Sequence, residues 1–496
     1  MKKQTNIRVV TIAVFVATFM TAIEGTIVTT AMPTIVGSLK GIEIMNWVFS
    51  IYLLTNAMFT PIYGKLADKV GRKPIFLIGT FIFMIGSALC GFSYSMLHLI
   101  IARAIQGIGA GAMMPVALTI VADLYTAEKR AKVLGFTSTA WGIASVVGPL
   151  AGGIIVDLLS WHWIFFINVP IGILLLWLIG AFLYEPKMKQ KTGKMDVWGS
   201  ISLMVMLLAF LVGVQYLGDE GLSIRVGFLF LVSLSSLIVF NQIEKRVADP
   251  VIPLPIFRNR LFVLANLVAA LVSGFLMGVE VYIPMWMQGV LGISAGIGGL
   301  VLAPQSILWV YGSTIAGDWL LKHSVRHNLV VSLSITLLGG LCLFLAPFHT
   351  PFVVFFVIAG IVGIGMGATI VITTVSAQNS VQQSELGVAT SFNTLAKTLG
   401  QTVMIAIFGI CFNLTTTKQL NDITRDLPKN AMNQLVNPET AKFLQPEVRT
   451  LLRHILFEGL HVIYGLAIVL VIIALGLTLS LREKTGTMES NNEVGE

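Results

Sequence analysis

The sequence predicts an all-α integral membrane protein of about 14 transmembrane helices, and three observations carry that expectation. First, 56% of the 496 residues are hydrophobic and only 11% are charged. The mean hydropathy is +0.87, and a soluble chain could not cover so much apolar surface. Second, apolar runs long enough to cross a hydrocarbon core of about 30 Å recur along the whole chain. Third, Lys and Arg gather between alternate runs, as they do in the cytoplasmic loops of membrane proteins.

In chain order the runs fall at 8–33, 46–66, 74–94, 97–121, 132–156, 162–184, 197–217, 225–242, 261–288, 296–320, 328–347, 351–374, 386–411 and 458–481. The first follows Met1-Lys2-Lys3. It is too long for a signal-peptide core and no small-residue cleavage site follows it, so it reads as a retained helix. With the N-terminus inside, the inner segments hold about 22 of the 32 Lys and Arg residues, whereas the short outer loops hold Lys40 and Arg225. Both termini are therefore expected in the cytoplasm. The long outer loop 412–457 contains Pro428, Pro438, Pro446 and the apolar-basic run 448–457. It reads as a membrane-surface helix, a small hairpin or a solvated loop.

A weak internal repeat is visible. Gly107-Ile-Gly-Ala-Gly-Ala112 resembles Gly363-Ile-Gly-Met-Gly-Ala368, and Gly64-Lys-Leu-Ala-Asp68-Lys69 partly echoes Gly317-Asp-Trp-Leu-Leu321-Lys322. Parallel six-helix halves at 1–184 and 261–496 explain both matches, with 185–260 as basic linkers carrying two inserted helices.

The chemistry is not that of an enzyme. Cys90, Cys342 and Cys411 lie far apart, and the seven His residues form no HExxH or triad pattern. The net charge of +8 reflects the inner loops and requires no nucleic-acid partner. Four charges fall deep in apolar runs: Glu24, Arg103, Glu280 and Lys397. An ion at membrane depth costs about 2.5 kcal/mol or more, so each needs a partner or a water-filled path. Two acids and two bases in such positions point to a proton or ion pathway.

Glu24 lies roughly 24 Å along the first helix, past the midplane toward the outside. There it would take up and release a proton as its surroundings change, or else snorkel to the outer interface. Arg103 sits about 9 Å below the outer end of the fourth helix, as a proton-coupling group or a static clamp. Glu280, within Gly274-Phe-Leu-Met-Gly278-Val-Glu280-Val-Tyr282-Ile-Pro284, is a candidate site for a cationic substrate or second proton, or an outer-rim residue. Lys397 is open to the same substrate or proton roles, with an acid expected beside it if charged. Tyr52, Phe59, Trp141, Tyr282, Trp286 and Trp309 are candidate cavity walls, since aromatic faces attract lipophilic cations. Packing or interface anchoring is the alternative for each.

Two motifs concern shape. In Gly64-Lys65-Leu-Ala-Asp68-Lys69-Val-Gly71-Arg72-Lys73-Pro74, Gly64 lets another helix approach and Gly71 permits a tight turn. Asp68 needs a partner there, such as a helix N-terminus. In Trp141-Gly142-Ile-Ala-Ser-Val-Val-Gly148-Pro149-Leu-Ala-Gly152-Gly153, small residues let helices pack closely and Pro149 bends the chain.

The first of these resembles the signature between helices 2 and 3 of the major facilitator superfamily. Ile23-Glu24-Gly-Thr26-Ile27-Val28-Thr-Thr-Ala31-Met-Pro33 is similar to the first-helix motif of its fourteen-helix drug:proton antiporter branch. Arg103 with Gln106-Gly107 resembles the fourth-helix motif, the Gly142–Gly153 run the fifth-helix antiporter motif, and Asn168-Val-Pro170-Ile-Gly172 also fits. The resemblance implies a major facilitator fold of two six-helix bundles plus two central helices. It implies export of amphipathic, often cationic drugs or antiseptics by alternating access across a bacterial cytoplasmic membrane. Protons would be the coupling ion, with no other cofactor, Glu24 carrying the proton and Arg103 supporting it. The partners would be the lipid bilayer and small molecules, not nucleic acid, and the protein a monomer. A narrow-specificity exporter of a metabolite, lipid or peptide, and a non-transporting sensor or scaffold, are the alternatives. One departure matters: the family's first-helix acid is usually Asp, and Glu24 reaches about 1.5 Å farther along its side chain. Leu321 replaces Asp68 and Ala359 replaces Arg103 in the repeat, which assigns both functions to the first half.

Overall fold

The computed structural model describes residues 5–125, 127–185, 196–247, 254–381, 386–421 and 430–481. The side chains of Asp68 and Trp141, and Gly142, lie outside the described residues. The long helices are α1 Ile7–Leu39, α2 Asn46–Val70, α3 Arg72–Gly91, α4 Met96–Leu124, α5 Ala127–Leu158, α6 Asn168–Phe182 and α7 Val197–Glu220. They continue with α8 Ile224–Glu244, α9 Arg260–Met285, α10 Ala303–Lys322, α11 Val325–Phe344, α12 Phe352–Asn379, α13 Leu386–Asn421 and α14 Pro446–Leu479. Among the described residues, 12 helices are long and apolar enough to cross a membrane, and α5 and α7 contribute the shorter apolar stretches Val147–Leu158 and Trp198–Val214. No strand occurs among them. In lipid the backbone must satisfy itself, and a helix does so within one segment. Polar residues at the edges fix where several helices begin. Asn6, Ser95, Asp196, Ser223, Asn259 and Ser324 each accept a hydrogen bond from a first-turn N–H.

The segment 412–457 corrects the sequence reading. α13 runs on to Asn421 and α14 already begins at Pro446, so 448–457 is the first part of the last helix rather than a loop, hairpin or separate surface helix. Pro446 presets the backbone of the opening turn and Glu447 complements its positive end. Two short helices, Ala431–Val436 and Pro438–Ala441, precede it.

The repeated glycines have one structural use. In α4, Gly107 and Gly111 lie against the α2 backbone at Tyr52 and Asn56, while Gly109 lies against α3 at Phe83. In α12, Gly363 and Gly367 lie against α10 at Gln305 and Trp309, while Gly365 lies against α11 at Thr336. A methyl group at any of these six positions would run into neighbouring backbone, so the spacing keeps two flanking helices close on both occasions.

Among the described residues, hydrogen bonds between the first six and the last six helices gather at the end carrying the α1–α2 turn. Tyr282 Oη donates to Asn46 Oδ1 at 2.7 Å, Gln288 Nε2 to Thr30 O at 2.9 Å, and Gly296 N to Asp157 Oδ2 at 2.9 Å. Asn433 Oδ1 accepts from both Gly41 N and Ile42 N at 3.0 Å. Gly41 has φ +99°, a backbone state that favours glycine. One continuous apolar core, including Val36, Phe49, Trp286 and Val436, fills the same end. Asn433→Ala would strand two N–H groups, at about 1–3 kcal/mol each, and is expected to loosen this closure. A cysteine placed at buried Val36 should then react faster with a membrane-impermeant maleimide; unchanged labelling would remove Asn433 from the closure.

Candidate functional site: a buried carboxylate–guanidinium pair

Glu24 and Arg103, 79 residues apart, meet in the interior of the first six helices. Glu24 is 0% exposed and Arg103 1%. Arg103 Nη1 donates to Glu24 Oε1 in an ion pair and to Gln106 Oε1 at 2.7 Å, while its Nε donates to Val48 O at 3.2 Å. The guanidinium carbon lies 4.0 Å from the centre of the Tyr52 ring, a cation–π stack at hydrocarbon depth. On the other side Asn168 Nδ2 donates to Glu24 Oε2 at 2.6 Å and lies 3.0 Å from Ser87 Oγ, which donates to Phe165 O at 2.9 Å. Five elements thus converge on one carboxylate and one guanidinium: α1, α2, α3, α4 and α6.

Local sequence explains the convergence. Gly107 brings α4 against α2 one residue after Gln106, and Gly86 brings α3 against the α4 backbone at Gln106 itself. Thr26 lies against Gly148, and Ile27 against Gly152, so the α5 glycines let α1 and α5 touch along that face. Gly153 lies against Gly296, and Gly299 against Pro149 O, which extends the same small-residue contact to the short helix Ala295–Leu300. Gly25, one residue past Glu24, is exposed, and no heavy atom lies within 4 Å of where a Cβ would stand. Open space therefore begins one residue away from a carboxylate that is itself dry.

The other candidates are placed differently. Glu280 is half-buried on α9 with no hydrogen-bond or ion-pair partner among the described residues. Lys397 is half-buried on α13, 3.4 Å from Thr374 Oγ1 rather than beside an acid. Tyr52 serves Arg103, and Phe59 packs at 5.9 Å from Tyr63. Tyr282 is fully buried at the closed end. Trp286 is also fully buried, stacked 5.8 Å from Tyr464. Trp309 is half-buried beside Gly367. The sequence reading has Asn168 only as part of its motif, not as a partner of Glu24, and does not single out Ser87.

Near the α2–α3 turn, Gly64 does not receive the close helix approach expected of it: among the described residues no heavy atom outside its own helix backbone lies within 4 Å of where a Cβ would stand. Gly71 has φ +111°. The α3 N-terminus is capped by Glu185, whose two oxygens accept from Arg72 N at 2.8 Å and Lys73 N at 3.0 Å. Arg72 Nε pairs with Asp123 at 2.8 Å, and Lys73 Nζ donates to Gly180 O and Leu183 O at 2.7 and 2.8 Å. A carboxylate at a helix N-terminus is electrostatically favourable. A Cβ at Gly71 would stand 2.7 Å from Glu185 Oε2. Gly71→Ala is therefore expected to cost about 1–3 kcal/mol, read as a lower melting temperature in detergent, with Gly64→Ala near neutral as the control. Equal melting of both variants would contradict that reading of the turn.

A polytopic helical bundle that buries a hydrogen-bonded ion pair within its first six helices is compatible with a membrane transporter. The chain belongs to the Major Facilitator Superfamily, whose sequence profile matches residues 14–405. It is 32% identical to the multidrug transporter protein MdtP of Bacillus subtilis (strain 168), over 97% of this chain and 94% of that one. It is 37% identical to multidrug resistance protein 3 of the same organism, over 85% and 82%. Its fold is similar to that of a bacterial homolog of the human lysosomal transporter Spinster in an inward-facing, unoccupied conformation. The TM-score is 0.68 at 17% identity, covering 95% of each chain. The protein is a multi-pass membrane transporter of small molecules and not an enzyme.

Proposed function

We propose that the protein is a proton-coupled antiporter that exports amphipathic, often cationic compounds from a bacterial cell. The Glu24–Arg103 pair carries this reading. With the carboxylate ionised, the two charges compensate each other in a dry interior; with it protonated, the guanidinium is left without its counter-ion. Breaking a buried pair costs about 3–5 kcal/mol, so protonation favours whichever arrangement of helices hydrates Arg103 or gives it new acceptors. A proton that prefers one conformation and a substrate that prefers the other are the two biases that antiport needs.

Residues 1–184 and 261–496 act in this proposal as rocking halves. The Lys and Arg distribution puts the α1–α2 end outside and both termini inside, so the closed end is the outer gate. The resemblance of the Gly142–Gly153 run to the antiporter motif implies a bend that closes the inner gate; the contacts of Gly148, Gly152 and Gly153 with α1 and the helix Ala295–Leu300 favour a part in the outer gate instead. The relatives named as multidrug transporters favour broad substrate range. The test uses proteoliposomes loaded with chemically unrelated dyes and an imposed pH gradient. Uphill, uncoupler-sensitive movement with mutual competition is expected. Transport of one dye class without competition would favour the narrow-specificity alternative, and gradient-independent movement would end the antiport reading.

A further inference from the structure

Outside the Glu24 site, the last six helices hold a second polar network. Lys397 Nζ donates to Thr374 Oγ1 at 3.4 Å, and Thr374 lies 3.0 Å from Asn393 Oδ1 and 2.7 Å from Ile370 O. Asn393 Nδ2 donates to Asn266 Oδ1 at 3.0 Å, and Asn266 Nδ2 to Phe262 O at 2.8 Å. The chain runs from Lys397 on α13 to Thr374 on α12, back to Asn393 on α13 and on to Asn266 on α9; the one Thr374 hydroxyl proton is shared between Ile370 O and Asn393 Oδ1, which leaves its lone pair to accept from the ammonium. Asn393 is 0% exposed and Asn266 3%, so the network is a fixed base. Lys397 has three N–H donors and spends one on a long bond.

No carboxylate pairs with Lys397 among the described residues, although an ion at membrane depth needs compensation. Glu280 is too far away: Gly278 lies beside Phe408, 11 residues beyond Lys397 on α13, or roughly 16 Å. The neighbours of Lys397 on its helix are polar: Thr394 is exposed, and Thr398 and Gln401 are half-buried. α13 meets α2 on another face, where Leu395 shares a core with Leu54 and Ala57. A strip of Thr, Thr, Gln and Lys is costly against lipid and calls for a water-filled cleft beside this face of α13.

We infer that Lys397 is the anchor for an acidic group, a carboxylate, sulfonate or phosphate, on amphiphilic cargo in that cleft. The inference rests on the exporter reading and extends its substrate class to zwitterions and organic anions. The Thr374–Asn393–Asn266 chain holds the ammonium in place, and the acidic group of the cargo replaces water on its free donors. Charge-assisted hydrogen bonds of this kind are the strong ones.

The test compares a xanthene dye as its ethyl ester, a cation, with the same dye as its free acid, a zwitterion. Both are offered to full-length protein in proteoliposomes under a pH gradient. Wild-type protein should carry both. Lys397→Gln should raise the apparent KM for the acid about 10- to 100-fold while leaving the ester unchanged, and Lys397→Arg should restore the acid. Equal loss of both dyes, no loss of either, or a wild type that carries only the ester would overturn the assignment to Lys397. The last of these leaves the exporter reading intact, whereas no uphill movement of either dye by wild-type protein would overturn that reading as well.

Discussion

Glu24→Gln is expected to abolish uphill, gradient-driven efflux while leaving downhill dye exchange measurable. Glutamine keeps the length and one carbonyl acceptor for Asn168, so the packing around α6 survives. It cannot gain or lose a proton, and it leaves Arg103 without its counter-ion. The pair is wholly buried, and losing one member of such a pair shifts a conformational balance by about 3–5 kcal/mol, a factor of roughly a hundred or more. The variant should therefore rest in one conformation and accumulate no dye against its gradient, whatever the imposed pH difference. Uphill efflux at the wild-type rate would show that the proton travels elsewhere.

Arg103→Met should produce the largest loss of stability of any single change in the first six helices. The guanidinium serves Glu24, Gln106 and Val48 O at once and fills the space beside Tyr52. Its removal strands a fully buried carboxylate and costs about 3–5 kcal/mol, read as a lower melting temperature in detergent. Arg103→Lys should recover only part of this, because one ammonium cannot reproduce the planar fork. In the double variant Glu24→Gln with Arg103→Met, neither charge of the pair remains. It should melt higher than Arg103→Met alone, with a coupling of about 1–3 kcal/mol, yet still fail in uphill transport. Additive losses in the double variant would mean that the two residues act independently.

The helices and the two ends of the ion pair were legible in the sequence for the same reason: charge in hydrocarbon is expensive, so Glu24 and Arg103 stand out against apolar runs. What surrounds them was not. Asn168 and Ser87 are neutral and small, and their spacing from Glu24 says nothing about which helices converge. Tyr52 was visible as an aromatic but not as the stacking partner of Arg103. In the α2–α3 turn the eye falls on Asp68, whereas Glu185 caps α3 from beyond α6 and Asp123 reaches Arg72 from the end of α4; those pairings depend on tertiary placement alone. The early start of α14 did leave a local trace, Pro446 followed by Glu447, which is a helix-opening pattern. The amphipathic polarity of 448–457 masked it.

The central claim is that Glu24 changes protonation between the two conformations. Infrared difference spectroscopy on reconstituted protein, stepping the pH with and without a bound dye, tests it most directly. A protonated-carboxyl band that grows on acidification, shrinks on dye binding and disappears in Glu24→Gln is the result expected. A band set that is identical in wild type and Glu24→Gln at every pH, with and without dye, would contradict the account.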